Sequence, residues 1–127
     1  VSASTSTENR ALLLSQYYRA ALKSRVSELM PSWQAEIGVT VNFWGVRKMK
    51  TKWGSCNTEA KCIWLNLELA KKPPECLEYI LVHELVHLLE RRHNERFKTF
   101  MDKYLPDWRE RRNLLNKMPL AHNNWVY

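Results

Sequence analysis

The chain predicts an α+β fold, and three features of its patterning carry that expectation. Apolar residues recur at helical spacing over residues 6–30, alternate with polar ones between residues 38 and 67, and return to helical spacing after Pro73. A helix, then a small sheet, then a run of helices segregates the two kinds of element along the chain. With 127 residues, the whole of 1–127 is expected to form a single domain.

The elements follow in order. Residues 1–6 are small and polar and are expected to be frayed. Thr5 and Glu8 have capping-box spacing. Leu14, Tyr18, Leu22, Val26 and Leu29 then form the stripe of a long amphipathic helix. Pro31 marks its end, with continuation through residues 34–36 left open. Val39, Val41 and Phe43 alternate with polar neighbours, a strand pattern running toward Lys50. Residues 61–67 repeat it, with Ile63, Leu65 and Leu67 on one side and Trp64 and Asn66 on the other. Trp53-Gly54-Ser55-Cys56-Asn57 lies between as a turn region, so the sheet is expected to be small and antiparallel.

Pro73-Pro74 closes the strand region and opens a helix, with Glu75 and Glu78 near its positive end. Leu77, Ile80, Leu81, Glu84, Leu85 and Leu88 carry that helix to about Arg91. Asn94 can cap a helix over 95–104, ended by Pro106, and Asp107 can cap a last one over 108–117. The tail, 118–127, is expected to lie as a strap on the body.

Hydrophobic residues make up 45% and aromatics 11%, enough for a core and against a disordered chain. The apolar runs are too short to cross a bilayer, and the amino end does not read as a secretion leader, so a cytoplasmic protein without a membrane partner is expected. Cys56, Cys62 and Cys76 are odd in number and form no CxxC pair, which argues against a disulfide framework and fits a reducing compartment. The net charge of +7 suits a polyanionic partner, nucleic acid included, but is equally that of a soluble basic domain.

Chemistry enters at His83-Glu84-Leu85-Val86-His87, an HExxH pattern on an expected helix. Histidines at i and i+4 share one helical face, where both imidazoles reach one zinc ion. Glu84 projects beside them, where a carboxylate can take a proton from a metal-activated water. Solvated histidines on an ordinary helix are the plain alternative. The flanks Ile80-Leu81-Val82 and Leu85-Val86 weigh against it, because buried histidines and a buried glutamate need compensation that a metal supplies.

A catalytic zinc takes three protein ligands and keeps one position open. His93 lies six residues past His87. On a straight helix it would stand ~80° from the face of His83, at ~100° per residue. A break in the stretch Arg91-Arg92-His93-Asn94 could swing it back to the metal, which makes it the favoured third ligand. His122 is the other histidine available, and Glu90 and Glu95 are lesser candidates. The set then reads as a zinc-dependent hydrolase with Glu84 as general base.

The same residues resemble a known family. Met49-Lys-Thr-Lys-Trp-Gly-Ser-Cys56, Ile63-Trp-Leu-Asn66, Pro74, His83-Glu-Leu-Val-His-Leu88, His93-Asn-Glu-Arg-Phe97 and Leu105-Pro-Asp-Trp108 together are similar to the YgjP-like metallohydrolases, relatives of the SprT-like zinc metallopeptidases. The resemblance implies a zincin-like fold, zinc on His83, His87 and His93, and Glu84 as the base. It also implies that Trp53, Gly54, Ser55 and Cys56 lie by the cleft, where a sheet edge could pair with an extended substrate. The spacing from second to third histidine matches the metzincins, but Glu90 stands where their glycine would be, so the turn must be made differently. Trp64, on the polar side of its strand, is a further candidate for the cleft wall.

Three functions fit these features. The first is a metallopeptidase. The second is a metal-dependent nucleotide pyrophosphate hydrolase, with Arg47, Lys48, Lys50, Lys52, Arg91, Arg92 and Arg96 supplying phosphate contacts. The third is a DNA-associated binding module with structural zinc, against which the intact Glu84 argues.

Overall fold

The first helix is longer than its sequence pattern predicts. The computed structural model describes the backbone of residues 3–117, with side chains from Thr7 onward. In it α1 spans Ala3–Ile37, beginning before Ser6 and passing through Pro31. An interior proline costs about 3 kcal/mol or more by removing a hydrogen bond and crowding the preceding turn. Burial offsets it. Leu22, Val26, Met30 and Ile37 are all 5% exposed or less, and an apolar side chain so buried contributes roughly 1.5–3 kcal/mol. Beyond the proline, Trp33 Nε1 also donates to Glu78 Oε2 at 3.0 Å. The stop comes instead at Gly38, whose φ of +80° is cheap only for glycine, with Gly38 N and Val39 N both donating to the Gln34 carbonyl. The stripe is fully buried only from Leu22 onward. Leu14, expected on the inner face, is 51% exposed, beside Leu12, Leu13 and Tyr17.

Three strands follow: β1 Phe43–Arg47, β2 Gly54–Asn57 and β3 Cys62–Asn66. Their order is β1-β3-β2, with β3 antiparallel to β2 but parallel to β1. The sheet is therefore mixed rather than antiparallel. β2 and β3 form a hairpin whose turn is held by Asn57 Oδ1 accepting from Glu59 N and Ala60 N, with Lys61 left-handed at φ 54°. β1 lies on the far side of β3, and the chain reverses twice between them, into β2 and out of it, which leaves the two parallel. Alternation of apolar residues gives faces but not neighbours, which is why the order was not readable.

Phase also shifts. Val39 and Val41 pack on the core ahead of the strand, and within β1 it is Trp44 and Val46 that share a face with Ile63 and Leu65. Phe43 is 53% exposed on the opposite face.

After a 3₁₀ turn, Leu67–Lys71, α2 (Pro74–Val86) runs through the middle of the molecule, with ten of its residues buried from Cys76 to Val86. α3 (Glu95–Tyr104) and α4 (Trp108–Asn116) complete the fold. Asn94 caps α3 as expected, accepting from Phe97 N at 3.0 Å. Asp107 precedes α4 but makes no cap bond; its carboxylate instead takes Arg111 Nε at 3.0 Å. Arg111 also donates to Glu78 Oε1 at 2.7 Å, so Glu78 ties α4, α2 and α1 together through Arg111 and Trp33. The expected strap, 118–127, lies outside the described residues.

Candidate metal centre and active site

α2 ends where the chemistry begins. It stops at Val86, with His87 as its C-cap, rather than running to Arg91. Leu88 N, Leu89 N and Glu90 N close the last turn on the carbonyls of Leu85 and Val86 at 2.8–3.0 Å. The chain then reverses before the Asn94 cap, which carries His93 back over the end of α2. His93 Nε2 stands 3.2 Å from His83 Nε2 and 2.9 Å from His87 Nε2. The three ligand nitrogens lie within 4.8 Å of one another.

Each imidazole is oriented by its surroundings. His83 is buried on α2 with the Tyr79 ring at 6.0 Å. His87 Nδ1 lies 3.2 Å from the Glu90 carbonyl oxygen. A carbonyl only accepts, so Nδ1 carries the proton and Nε2 presents its lone pair inward, as a ligand nitrogen should. The Phe97 ring packs against all three, with centroids 4.9, 4.7 and 5.1 Å from those of His83, His87 and His93. Phe97 closes the string His93-Asn-Glu-Arg-Phe97, but nothing in its spacing marks it as the wall of the histidine cluster.

The electrostatics favour neutral imidazoles. Burial, then His87 and His93, hold His83 well below the ordinary histidine range. Burial first, and His93 second, bring His87 down to about 4, while burial lowers His93. Neutral ring nitrogens facing one another this closely repel through their lone pairs unless a cation or proton sits among them. A nitrogen-rich trio of this kind fits a divalent metal ion.

Glu84 is buried at 2% exposure beside this cluster. Burial pushes its carboxyl up to about 8, and Lys52 pulls in the opposite direction. Histidines and Glu84 form the floor of a cleft of about 700 Å³. One wall is β2 with its turn, from Gly54 to Glu59; Lys52 and Arg91 complete the rim.

The expected cleft residues divide. Gly54 and Ser55 line it. Trp53 does not: it is 2% exposed, in the core, with Lys72 Nζ 5.6 Å from its ring. Trp64 is on the outer face of the sheet, its ring lying over Gly45, with Phe43 at 5.4 Å and the Arg47 guanidinium at 4.6 Å. A Cβ at Gly45 would come within 2.5 Å of that ring, so the missing side chain is what lets Trp64 lie flat there. Glu90 and Glu95 stay out of the histidine cluster. Glu90 faces Arg92 N and Arg96, and Glu95 is paired with Lys98 on the surface. His122 lies outside the described residues.

In the sequence Asn66 reads as a residue on the polar side of its strand. It is fully buried, donates to the carbonyls of Met49 at 2.9 Å and Lys52 at 2.7 Å, and accepts from Met49 N and Glu68 N. A lone asparagine in the apolar run Ile63–Leu67 was the available signal, since such a residue must find partners for its amide.

A family model for the YgjP-like metallopeptidase domain matches residues 1–118. The chain belongs to the YgjP-like metallopeptidase family. Membership makes it a metal-dependent peptidase, and the trio of histidines is where this YgjP-like domain can hold the metal. Two solved structures are similar to it. The metallopeptidase zymogen abylysin of Pyrococcus abyssi is 23% identical, with a TM-score of 0.66 over 80% of this chain and 99% of that one. The metallopeptidase zymogen jannalysin of Methanocaldococcus jannaschii is 28% identical, with a TM-score of 0.51 over 66% of this chain and 81% of that one. The first likeness speaks to the fold alone. No curated protein matches the YgjP-like chain significantly. Among the described residues no helix is long and apolar enough to cross a membrane.

Proposed function

We propose that the protein hydrolyses peptide bonds with zinc held by His83, His87 and His93 and with Glu84 as general base. The approach of His93 Nε2 to His83 Nε2 at 3.2 Å and to His87 Nε2 at 2.9 Å, beside a buried carboxylate, carries this reading. Tetrahedral zinc with Zn–N bonds of ~2.0–2.1 Å spaces its ligands ~3.3 Å apart, close to those separations. Bound there, zinc would supply Lewis acidity, lowering the pKa of water toward neutrality and polarising a carbonyl oxygen.

The remaining work falls to the chain. Glu84 accepts a proton from the attacking water and returns it to the leaving amine. Its burial raises the pKa into the range where a carboxylate both takes and gives up a proton near neutrality. The turn after α2 aims His87 through the Glu90 carbonyl and sets His93 in place ahead of the Asn94 cap. β2 forms one edge of the sheet and lines the cleft, so its unpaired backbone groups can bind an extended peptide as an added strand. That edge favours a peptide over a nucleotide, and a purely structural zinc would leave the buried Glu84 without a task.

Glu84→Gln tests the reading. The amide is nearly isosteric and no base, so the variant should keep its metal and fold while kcat on an unstructured protein substrate falls roughly 10²–10⁴-fold. Nucleoside triphosphates serve as the control substrate. Pyrophosphate release by the wild type without proteolysis would replace the peptide assignment, and an undiminished Glu84→Gln rate would remove Glu84 from the mechanism.

A further inference from the structure

Two cations on the cleft rim make no salt bridge among the described residues. They are Lys52 and Arg91, which both line the cleft and are exposed. Several other cations are neutralised within the fold. Lys48 and Lys71 pair with Glu68, and Arg96 pairs with Glu90. Arg111 is engaged by Glu78 and Asp107.

Nor are they loosely placed. The Lys52 carbonyl accepts from the buried Asn66 amide at 2.7 Å, and the next residue, Trp53, accepts from Asn66 N at 2.9 Å. Lys52 therefore leaves a pinned backbone at the start of β2, close enough to Glu84 to act on its carboxyl. Arg91 follows directly on Glu90, whose carbonyl holds His87. One cation thus stands on the strand side of the metal-binding histidines and the other on the turn after α2. Glu59, also exposed on the rim, is the only acidic side chain there besides Glu84 among the described residues.

Resting on the peptidase reading above, we infer that Lys52 and Arg91 set the enzyme's specificity, selecting peptide segments with acidic side chains on either side of the scissile bond. A peptide laid along β2 passes both cations at separate points. Two spaced charges suit two carboxylate side chains, whereas a triphosphate calls for clustered cations around one chain of phosphates. Partly solvated ion pairs contribute little each, so the selection is a bias and not an absolute requirement. It is also screened by salt.

The experiment uses zinc-loaded protein and quenched fluorescent peptides of one length, with alanine, glutamate or lysine flanking a common neutral core. At low ionic strength the glutamate peptide should be cleaved about three- to tenfold faster in kcat/KM than the alanine peptide, and the lysine peptide more slowly. Half-molar salt should erase most of the difference on wild type alone. Lys52→Glu with Arg91→Glu should reverse the order, and the milder Lys52→Gln with Arg91→Gln should flatten it. Equal rates on all peptides, or a ratio untouched by the substitutions, overturn the inference while leaving the peptidase reading intact. Failure to cleave any peptide removes both. Strong inhibition by a DNA oligonucleotide without any preference among peptides would assign the cations to nucleic acid instead.

Discussion

A side chain at Gly54 would collide with Glu84. A Cβ there would stand 3.0 Å from Glu84 Oε2 and 3.1 Å from its Cγ, and 2.8 Å from Ile80 Cγ2. Gly54 is the first residue of β2 and pairs with Leu65 of β3, so the strand cannot retreat without loosening the sheet. The glycine is thus what allows the cleft edge to lie directly on the proposed base.

Gly54→Ala should accordingly displace the carboxylate by a few tenths of an ångström or more. Small misplacements of catalytic groups can cost up to ~10²-fold in rate. We expect a loss of about tenfold or more in kcat with metal content unchanged, measured by steady-state proteolysis and by metal analysis of the same sample. A wild-type kcat would mean that Glu84 relaxes freely and that the close approach has no functional weight.

Metal retention should follow the histidine cluster. His83→Ala, His87→Ala or His93→Ala should each lower zinc content and remove the dependence of Tm on chelator that a natively bound ion produces. His122→Ala should do neither. Retention of a full equivalent of zinc by His93→Ala, with loss in His122→Ala, would move the third ligand to the carboxyl-terminal segment.

Much of this site was legible because its chemistry is local. His83, Glu84 and His87 sit within one helical turn, and i,i+4 spacing states their relation directly. His93 was readable as a ligand only through the need for a break, and the break falls at His87 and not at Arg91. Non-local facts stayed hidden. The β1-β3-β2 order depends on which strand finds which neighbour, and alternating apolar residues describe only faces. Pro31 is similar: its local cost is fixed by the residue, but the burial of Ile37 and the Trp33–Glu78 bond that offset it come from tertiary packing. Trp53 and Trp64 were placed by type, and packing put one in the core and the other on the outer face.

The Asn66 clamp should be costly to remove. Its side chain satisfies two carbonyls and two amides in a fully buried setting. Asn66→Leu keeps approximate volume but strands those groups, each worth ~1–3 kcal/mol when left unsatisfied. A drop of at least ~2 kcal/mol in unfolding free energy is expected by urea titration. A change within ~0.5 kcal/mol, the range of ordinary surface substitutions, would show that water takes over the role.

The last test concerns Cys56, a cleft-lining thiol that could be mistaken for a nucleophile. Burial, then the charge of Glu84, then Cys62, push it up to about 12 from an ordinary 9.0. Only thiolate reacts with alkylating agents, and its fraction grows tenfold per pH unit below the pKa. Near pH 8 Cys56 should therefore hold roughly a thousandth of the thiolate of an ordinary cysteine, the ratio set by about 12 against 9.0. Iodoacetamide labelling followed by peptide mapping should show Cys56 reacting at least ~10²-fold more slowly than free glutathione, with the rate still climbing between pH 8 and pH 10. Because burial is the first cause, Glu84→Gln should quicken the reaction only modestly. Rapid labelling of Cys56 at pH 7 in the native protein would mean that the thiol is stabilised as an anion, and a nucleophilic role beside the metal site would have to be considered in place of the general-base mechanism.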